Sequence, residues 1–264
     1  MNIVVCVKFV PDSTADQAFE SDNTVDRVGV PGLLSELDEY AVEQALQLKE
    51  KNEAPDSVTV TALSVGPEGA ADAIRKALQM GADAGVHVVD DAIAGSDSLA
   101  TSKILAAALK KIGDVDLVVT GMASTDGGMS VVPAMLAERL DLPQVTFASV
   151  IESQGDQFRI KRDGDIATEI IGATAPLVLS VTDQTGEARY PSFKGIMAAK
   201  KKPLDAYSLS DIGVDASEVG LSAAWTAVES TEARPPRTAG TIVTDEDGSG
   251  AKALTEFLAS KKFV

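Results

Sequence analysis

The stretch Val118-Val119-Thr120-Gly121-Met122-Ala123-Ser124-Thr125-Asp126-Gly127-Gly128-Met129-Ser130-Val131-Val132-Pro133 runs from an apolar strand through a glycine-containing loop into a helix. In a parallel sheet such a loop lies at the carboxyl edge of its strand, where ligands bind. The free N–H groups of the helix's first turn, around Ser130 to Pro133, together with the helix dipole, would attract a phosphate. On its own the stretch is explained equally well by a tight turn that uses Gly127 and Gly128 for positive φ. Ser64-Val65-Gly66-Pro67 also joins a strand end to a helix start, and the first strand runs into Pro11-Asp12. Three such edges in one sheet can line one nucleotide pocket.

Other chemistries are poorly supplied. One cysteine, Cys6, and one histidine, His87, cannot build a Cys/His zinc cage and leave a single imidazole for any Ser/His/Asp arrangement. Both lie within Val-rich runs and read as buried strand residues. No Gly-x-Gly-x-x-Gly follows the first strand and no Gly-x-x-x-x-Gly-Lys-Ser/Thr occurs, which disfavours a hydride-transferring dehydrogenase and a P-loop NTPase. With 40 acidic and 23 basic side chains the net charge is −17, a field that repels nucleic acid and anionic headgroups. No apolar run approaches the roughly 20 residues of a membrane helix. The start, Met1 to Val10, enters a strand without a basic prelude or cleavage site, which places the chain in a cytoplasm, where a lone thiol stays reduced.

The elements that must position these residues alternate. Ile3 to Val10, Val58 to Val65, Val86 to Val89, Leu117 to Thr120 and Leu177 to Val181 are short and apolar on consecutive positions, as strands covered on both faces should be. Between them fall helical stripes: Leu37, Ala41, Ala45 and Leu48; Ala70, Ile74, Ala77 and Leu78; Leu105, Leu109 and Ile112. Asp97 or Ser98 suits the cap of the third, and Pro67 the first turn of the second. Strands separated by helices imply an α/β fold, a mostly parallel twisted sheet with helices on both faces. Residues 158–172 read as an appended hairpin around Gly164, with Pro176 opening the next strand.

After about Tyr190 the alternation stops. Residues 159–202 carry net charge +3 and residues 205–250 net −7, so the chain is electrically segmented. Residues 203–264 combine Pro235-Pro236, an acidic run from Asp245 to Asp247 and one short stripe, Ala253-Leu254-Phe257-Leu258. Trp225 and that stripe are apolar enough to need burial, so the segment is expected to wrap this domain or a partner. The organisation expected is a nucleotide-binding domain over 1–190 and, over 191–264, a docking segment followed by an extended arm.

The run Glu187-Ala188-Arg189-Tyr190-Pro191-Ser192-Phe193-Lys194-Gly195-Ile196-Met197-Ala198-Ala199-Lys200-Lys201-Lys202 closely resembles the docking segment of electron-transfer flavoprotein beta subunits. Further blocks resemble the same family in the same order. They are Val7-Lys8 with Pro11-Asp12, Leu37 through Ala45, Ala77 through Asp83, Gly121 through Leu142-Pro143-Gln144, and Arg162 through Glu169 to Pro176. The match runs from Ile3 to about Pro203, and the tail is similar to that of actinobacterial members. The resemblance implies an adenine-nucleotide alpha-hydrolase-like, Rossmann-like fold without catalytic residues of its own. It implies a heterodimer whose alpha subunit holds most of the FAD, while the beta subunit buries AMP.

By that resemblance AMP would touch Cys6, Leu37, Asp38, Val65 and the loop Gly121, Met122, Ala123, Ser124, Thr125, Asp126, Gly127, Gly128, Met129, Ser130, Val131 and Val132. Its phosphate would rest near the last three. Ser35-Glu36-Leu37-Asp38 stands where many members have Asn-Pro-Phe-Asp, and Ser130-Val131-Val132-Pro133 where they have Asn-Gln-Thr-Gly. Both changes shift nucleotide holding toward backbone N–H groups. Tyr190, Phe193, Ile196, Met197, Lys200, Lys201 and Lys202 would dock acyl-CoA and related dehydrogenases, the electrons passing on to a membrane-bound quinone oxidoreductase. Phe193-Lys194 replaces a common Leu-Pro pair and keeps an apolar anchor.

Three other readings compete. An electron-bifurcating member would carry a second FAD in place of AMP. An ATP pyrophosphatase would need Ser-Gly-Gly-x-Asp after the first strand, where this chain has Lys8-Phe9-Val10-Pro11-Asp12. A stand-alone nucleotide-binding stress protein would leave the docking segment and the tail unexplained.

Overall fold

The computed structural model describes every residue except Glu246, so that member of the acidic run lies outside the described residues. In chain order the elements are β1 (Asn2–Cys6), β2 (Phe9–Pro11), β3 (Gly32–Leu34), α1 (Glu36–Lys51), β4 (Thr59–Val65), α2 (Ala71–Met80) and β5 (Ala84–Val88). There follow α3 (Ser98–Ile112), β6 (Leu117–Gly121), α4 (Val132–Leu140), β7 (Gln144–Gln154), β8 (Gln157–Asp163), β9 (Thr168–Thr174) and β10 (Leu177–Val181). The last three are α5 (Phe193–Ala199), β11 (Leu204–Tyr207) and α6 (Ser249–Ser260). Met1–Glu229 form one compact unit and Ser230–Val264, which contains α6, a second.

The first unit is an α/β structure. Its nine-stranded sheet has the order β11-β5-β4-β1-β6-β10-β7-β8-β9. Neighbours from β11 to β7 are parallel, and β7-β8-β9 continue as an antiparallel meander that ends in the free edge of β9. The hairpin expected over 158–172 is β8 and β9, joined by a turn in which Gly164 N–H donates to Ala167 O at 3.0 Å. Alternate side chains feed two cores. Ile3, Val5, Val60 and Leu179 face the layer of α1 and α2, with Ile74 and Leu78 packed on them. Val4, Leu63, Val118 and Val178 face Ile104 and Leu136 of α3 and α4. Fully burying one such Leu or Ile is worth about 1.5–3 kcal/mol, so both helix layers are held by apolar contact.

Caps follow local chemistry. Asp97 caps α3, its carboxylate accepting from Ala100 N–H at 3.0 Å. Pro67 precedes a 3-10 turn, Glu68–Ala70, and α2 starts only after it. The apolar run expected from Ile3 to Val10 is broken. Val7 N–H still reaches Leu63 O, but Lys8 N–H turns to the Asp38 carboxylate at 2.8 Å, and β2 then pairs with β3. Trp225 is not covered by the described residues of this chain: its backbone N–H is tied to Asp97 at 2.9 Å while the residue is 88% exposed. The stretch before it is integrated into the first unit: β11 pairs with β5, and Leu209, Val214 and Val219 are buried in the α3 core.

Candidate functional site

From β1 the chain moves outward to β4 and β5, then returns to place β6 on the other side of β1. Strand order reverses there, and the carboxyl ends of β1 and β6 lie side by side at the position where open α/β sheets bind ligands. Cys6 ends β1, Val65 ends β4, Gly121 ends β6, and Leu37 and Asp38 lie in the first turn of α1. Gly121 is required there by close approach, since a Cβ would come within 2.7 Å of Leu37 O and 2.6 Å of the Asp38 carboxylate. The structure therefore gathers residues 6, 37, 38 and 121 from separate parts of the sequence.

Asp38 is buried at this edge of the sheet. Burial pushes its carboxyl up to about 7, against the N–H groups of Lys8 and Gly121, which favour the charged form. Burial likewise pushes the Cys6 thiol up to about 12, with the Asp38 charge adding to it, so the thiol is protonated and inert.

The loop after β6 is latched from two sides. Asp126, its side chain only 3% exposed, takes Lys8 Nζ at 2.9 Å on one oxygen and Arg27 Nη2 at 2.5 Å on the other. Although burial works against it, these two cations hold its carboxyl far below the usual carboxylate range. Ser124 Oγ accepts from Gly127 N–H at 3.2 Å, and the buried Ser35 Oγ accepts from Thr125 N–H at 3.3 Å. Met122 and Ala123 are half-buried beside them, and Thr125, Gly127, Gly128 and Met129 are exposed.

The loop's far end can hold an anion. Gly128 has φ +61° and Ser130 φ +59°, and Val131 follows in the right-handed region as the cap of α4. A left-handed residue next to a right-handed one turns successive N–H groups to the same side, a concavity that favours anions. Among the described residues no group accepts from the N–H of Met129, Ser130, Val131 or Val132. Pro133 lies in the first turn, where its missing N–H removes no internal bond. These donors fit a phosphate by chemistry and position.

The segment 189–202 leaves its apolar side chains outside. Tyr190 is 93% and Phe193 81% exposed, with Ile196 and Met197 exposed beside them on α5. Lys200 and Lys201 are exposed. Lys202 is half-buried and donates to Leu78 O at 2.9 Å and Ala82 O at 2.6 Å at the end of α2, so its ammonium is committed internally. Sequence reading did not single out Arg27, whose partner lies 99 residues away. Its only local signal is a lone cation in a stretch otherwise rich in Asp.

Residues 22–212 match the family described as Electron transfer flavoprotein domain. The chain is 44% identical to the electron transfer flavoprotein subunit beta of Mycobacterium tuberculosis strain H37Rv, an alignment covering 100% of this chain and 99% of that one. The subunit beta of Mycobacterium leprae is also 44% identical, with the same coverage. The caffeyl-CoA reductase-Etf complex subunit CarD of Acetobacterium woodii is 34% identical over 99% of this chain and 97% of its own.

Proposed function

This chain belongs to the electron transfer flavoprotein family as a beta subunit of the actinobacterial type, an electron carrier rather than an enzyme, and we propose that its own share of the work is to hold AMP and to dock electron donors. It pairs with an alpha subunit, and FAD held mainly by that subunit supplies the electron chemistry when bound. The donors are acyl-CoA and related dehydrogenases, and a quinone oxidoreductase accepts the electrons. The second unit, Ser230–Val264, serves as an arm on the alpha subunit. The heterodimer works in the cytoplasm; among the described residues no helix is long and apolar enough to cross a membrane.

The observation that carries the nucleotide reading is the reversal of strand order beside β6, with four N–H groups on the way into α4 that have no partner among the described residues. In this reading the adenosine lies against Cys6, Leu37, Asp38 and Val65, and the phosphate rests on Ser130, Val131 and Val132. The docking reading rests on the exposed row Tyr190, Phe193, Ile196 and Met197 with cationic Lys200 and Lys201 beside it.

Acid extraction of the purified heterodimer tests the nucleotide reading. About one AMP and one FAD per heterodimer are expected. Two FAD and no AMP would move the chain to the bifurcating reading, and absence of both from the beta subunit would reject the pocket.

A further inference from the structure

The docking segment is tied down at both ends and in the middle. At its start Arg189 reaches back to α1 and forks onto two carboxylates. Nε donates to Glu43 Oε2 at 2.6 Å and Nη2 to Glu43 Oε1 at 3.1 Å, while Nη1 and Nη2 reach the two oxygens of Glu50 at 2.6 and 2.9 Å. The Arg189 backbone N–H adds a bond to Glu43 at 3.2 Å. Glu43 is 6% exposed, and Gln47 donates to the same carboxylate at 2.9 Å, so Gln47 helps Arg189 hold it.

In the middle, Gly195 lies so close to α2 that a Cβ would come within 2.6 Å of Gln79 O. Ser192 caps α5, accepting from Gly195 N–H at 3.0 Å. At the end, Lys202 closes on the carbonyls of Leu78, in the last turn of α2, and of Ala82, just beyond it. A seven-residue helix is too short to hold its own shape, so these ties and not its internal bonds fix it.

We propose that Arg189, held by Glu43 and Glu50, is a positioning residue for partner docking: it fixes the entry to the segment so that Tyr190 and Phe193 are displayed in one preformed arrangement. This rests on the reading of residues 190–201 as the docking surface. The clamp removes ordering entropy before the encounter, which is how preorganisation raises affinity without adding contacts. Arg189 is charge-paired with its two carboxylates, and the Lys202 ammonium is turned inward onto the Leu78 and Ala82 carbonyls. Among the described residues of this segment, the cations left free to meet an acidic partner are Lys194, Lys200 and Lys201.

The test uses the full heterodimer and an acyl-CoA dehydrogenase that reduces the wild type. Arg189→Lys keeps the charge and loses the fork. It should raise the dehydrogenase concentration needed for half-maximal flavin reduction about tenfold and leave the saturated rate within about twofold. FAD content and reduction by dithionite should stay as in wild type, with faster amide exchange confined to residues 188–199. Glu50→Gln, a change at a half-exposed side chain that cannot unfold the core, should give a smaller shift of the same kind.

Adding Arg189→Lys to the combined Tyr190→Ala and Phe193→Ala variant should weaken docking by less than about twofold beyond that variant alone, because the clamp acts through the two displayed rings. Additive losses in that combination, or wild-type docking by both Arg189→Lys and Glu50→Gln while Phe193→Ala docks poorly, overturn the clamp. Wild-type docking by Phe193→Ala itself would instead reject the docking reading on which it rests.

Discussion

Asp38 meets the N–H groups of Lys8 and Gly121 while buried from water, and its proton is thereby coupled to folding. Its carboxyl goes from 3.8 in the unfolded chain to about 7 in the folded one. A raised value means that the folded state holds the proton more tightly, so this group's contribution is fully present below about pH 4 and is lost as pH rises through about 7. Asp38→Asn should flatten that slope. Urea midpoints of the heterodimer from pH 4.5 to 8 should show the wild type's advantage over the variant shrinking up to about pH 7 and level above it. Parallel curves would show that this carboxyl does not titrate on folding. Glu43 behaves oppositely: despite its burial, Arg189 holds its carboxyl below the usual range, so the clamp persists above that range and releases only as pH falls below it. Neither partner was legible from local sequence, since Arg189 and Glu43 lie 146 residues apart and a contact at that separation leaves no spacing to read.

The loop between β6 and α4 can be tested as one element. Asp126→Ala leaves Lys8 and Arg27 without their shared counter-ion and unlatches the loop. AMP retention by the heterodimer should fall about tenfold, since the loop loses the one carboxylate that ties it to Lys8 and Arg27, while those two partly exposed cations return to water. Ser130→Ala removes one hydroxyl while the backbone donors remain, and should cost about 1 kcal/mol, roughly fivefold in affinity. Equal losses in the two variants, read by AMP release after gel filtration, would show that side chains and not the backbone hold the phosphate. This loop was readable because strand, glycines and helix follow one another within sixteen residues, and α1, α2 and α3 were readable from their stripes. β7 was not. It starts right after Pro143, its apolar positions are interrupted by a bulge where Phe147 has φ +60°, and its outer half is exposed. The first apolar run hid a break of another kind, because the acceptor that bends it at Lys8 is a side chain thirty residues on.

At the scale of the whole molecule, the second unit sets the place at which the arm can be tested. Cutting at residue 205 would take most of β11 and three core side chains with the tail, whereas removing Ser230–Val264 leaves the first unit whole. That truncation should lower co-purification with the alpha subunit and loosen FAD while AMP stays bound. A truncated heterodimer with full FAD content would show that the arm does not hold the partner. The free edge of β9 acts at the same scale. Thr168-Glu169-Ile170-Ile171-Gly172-Ala173-Thr174 offers on its outer side a row of peptide groups with no partner among the described residues, with Ile170 exposed, no proline and only Glu169 as a charged guard. Such an edge invites a second copy to stack on it. What opposes stacking is the net charge of −17, which keeps copies apart only while it is unscreened. Salt therefore sets how long this subunit stays monodisperse when it is made without its partner.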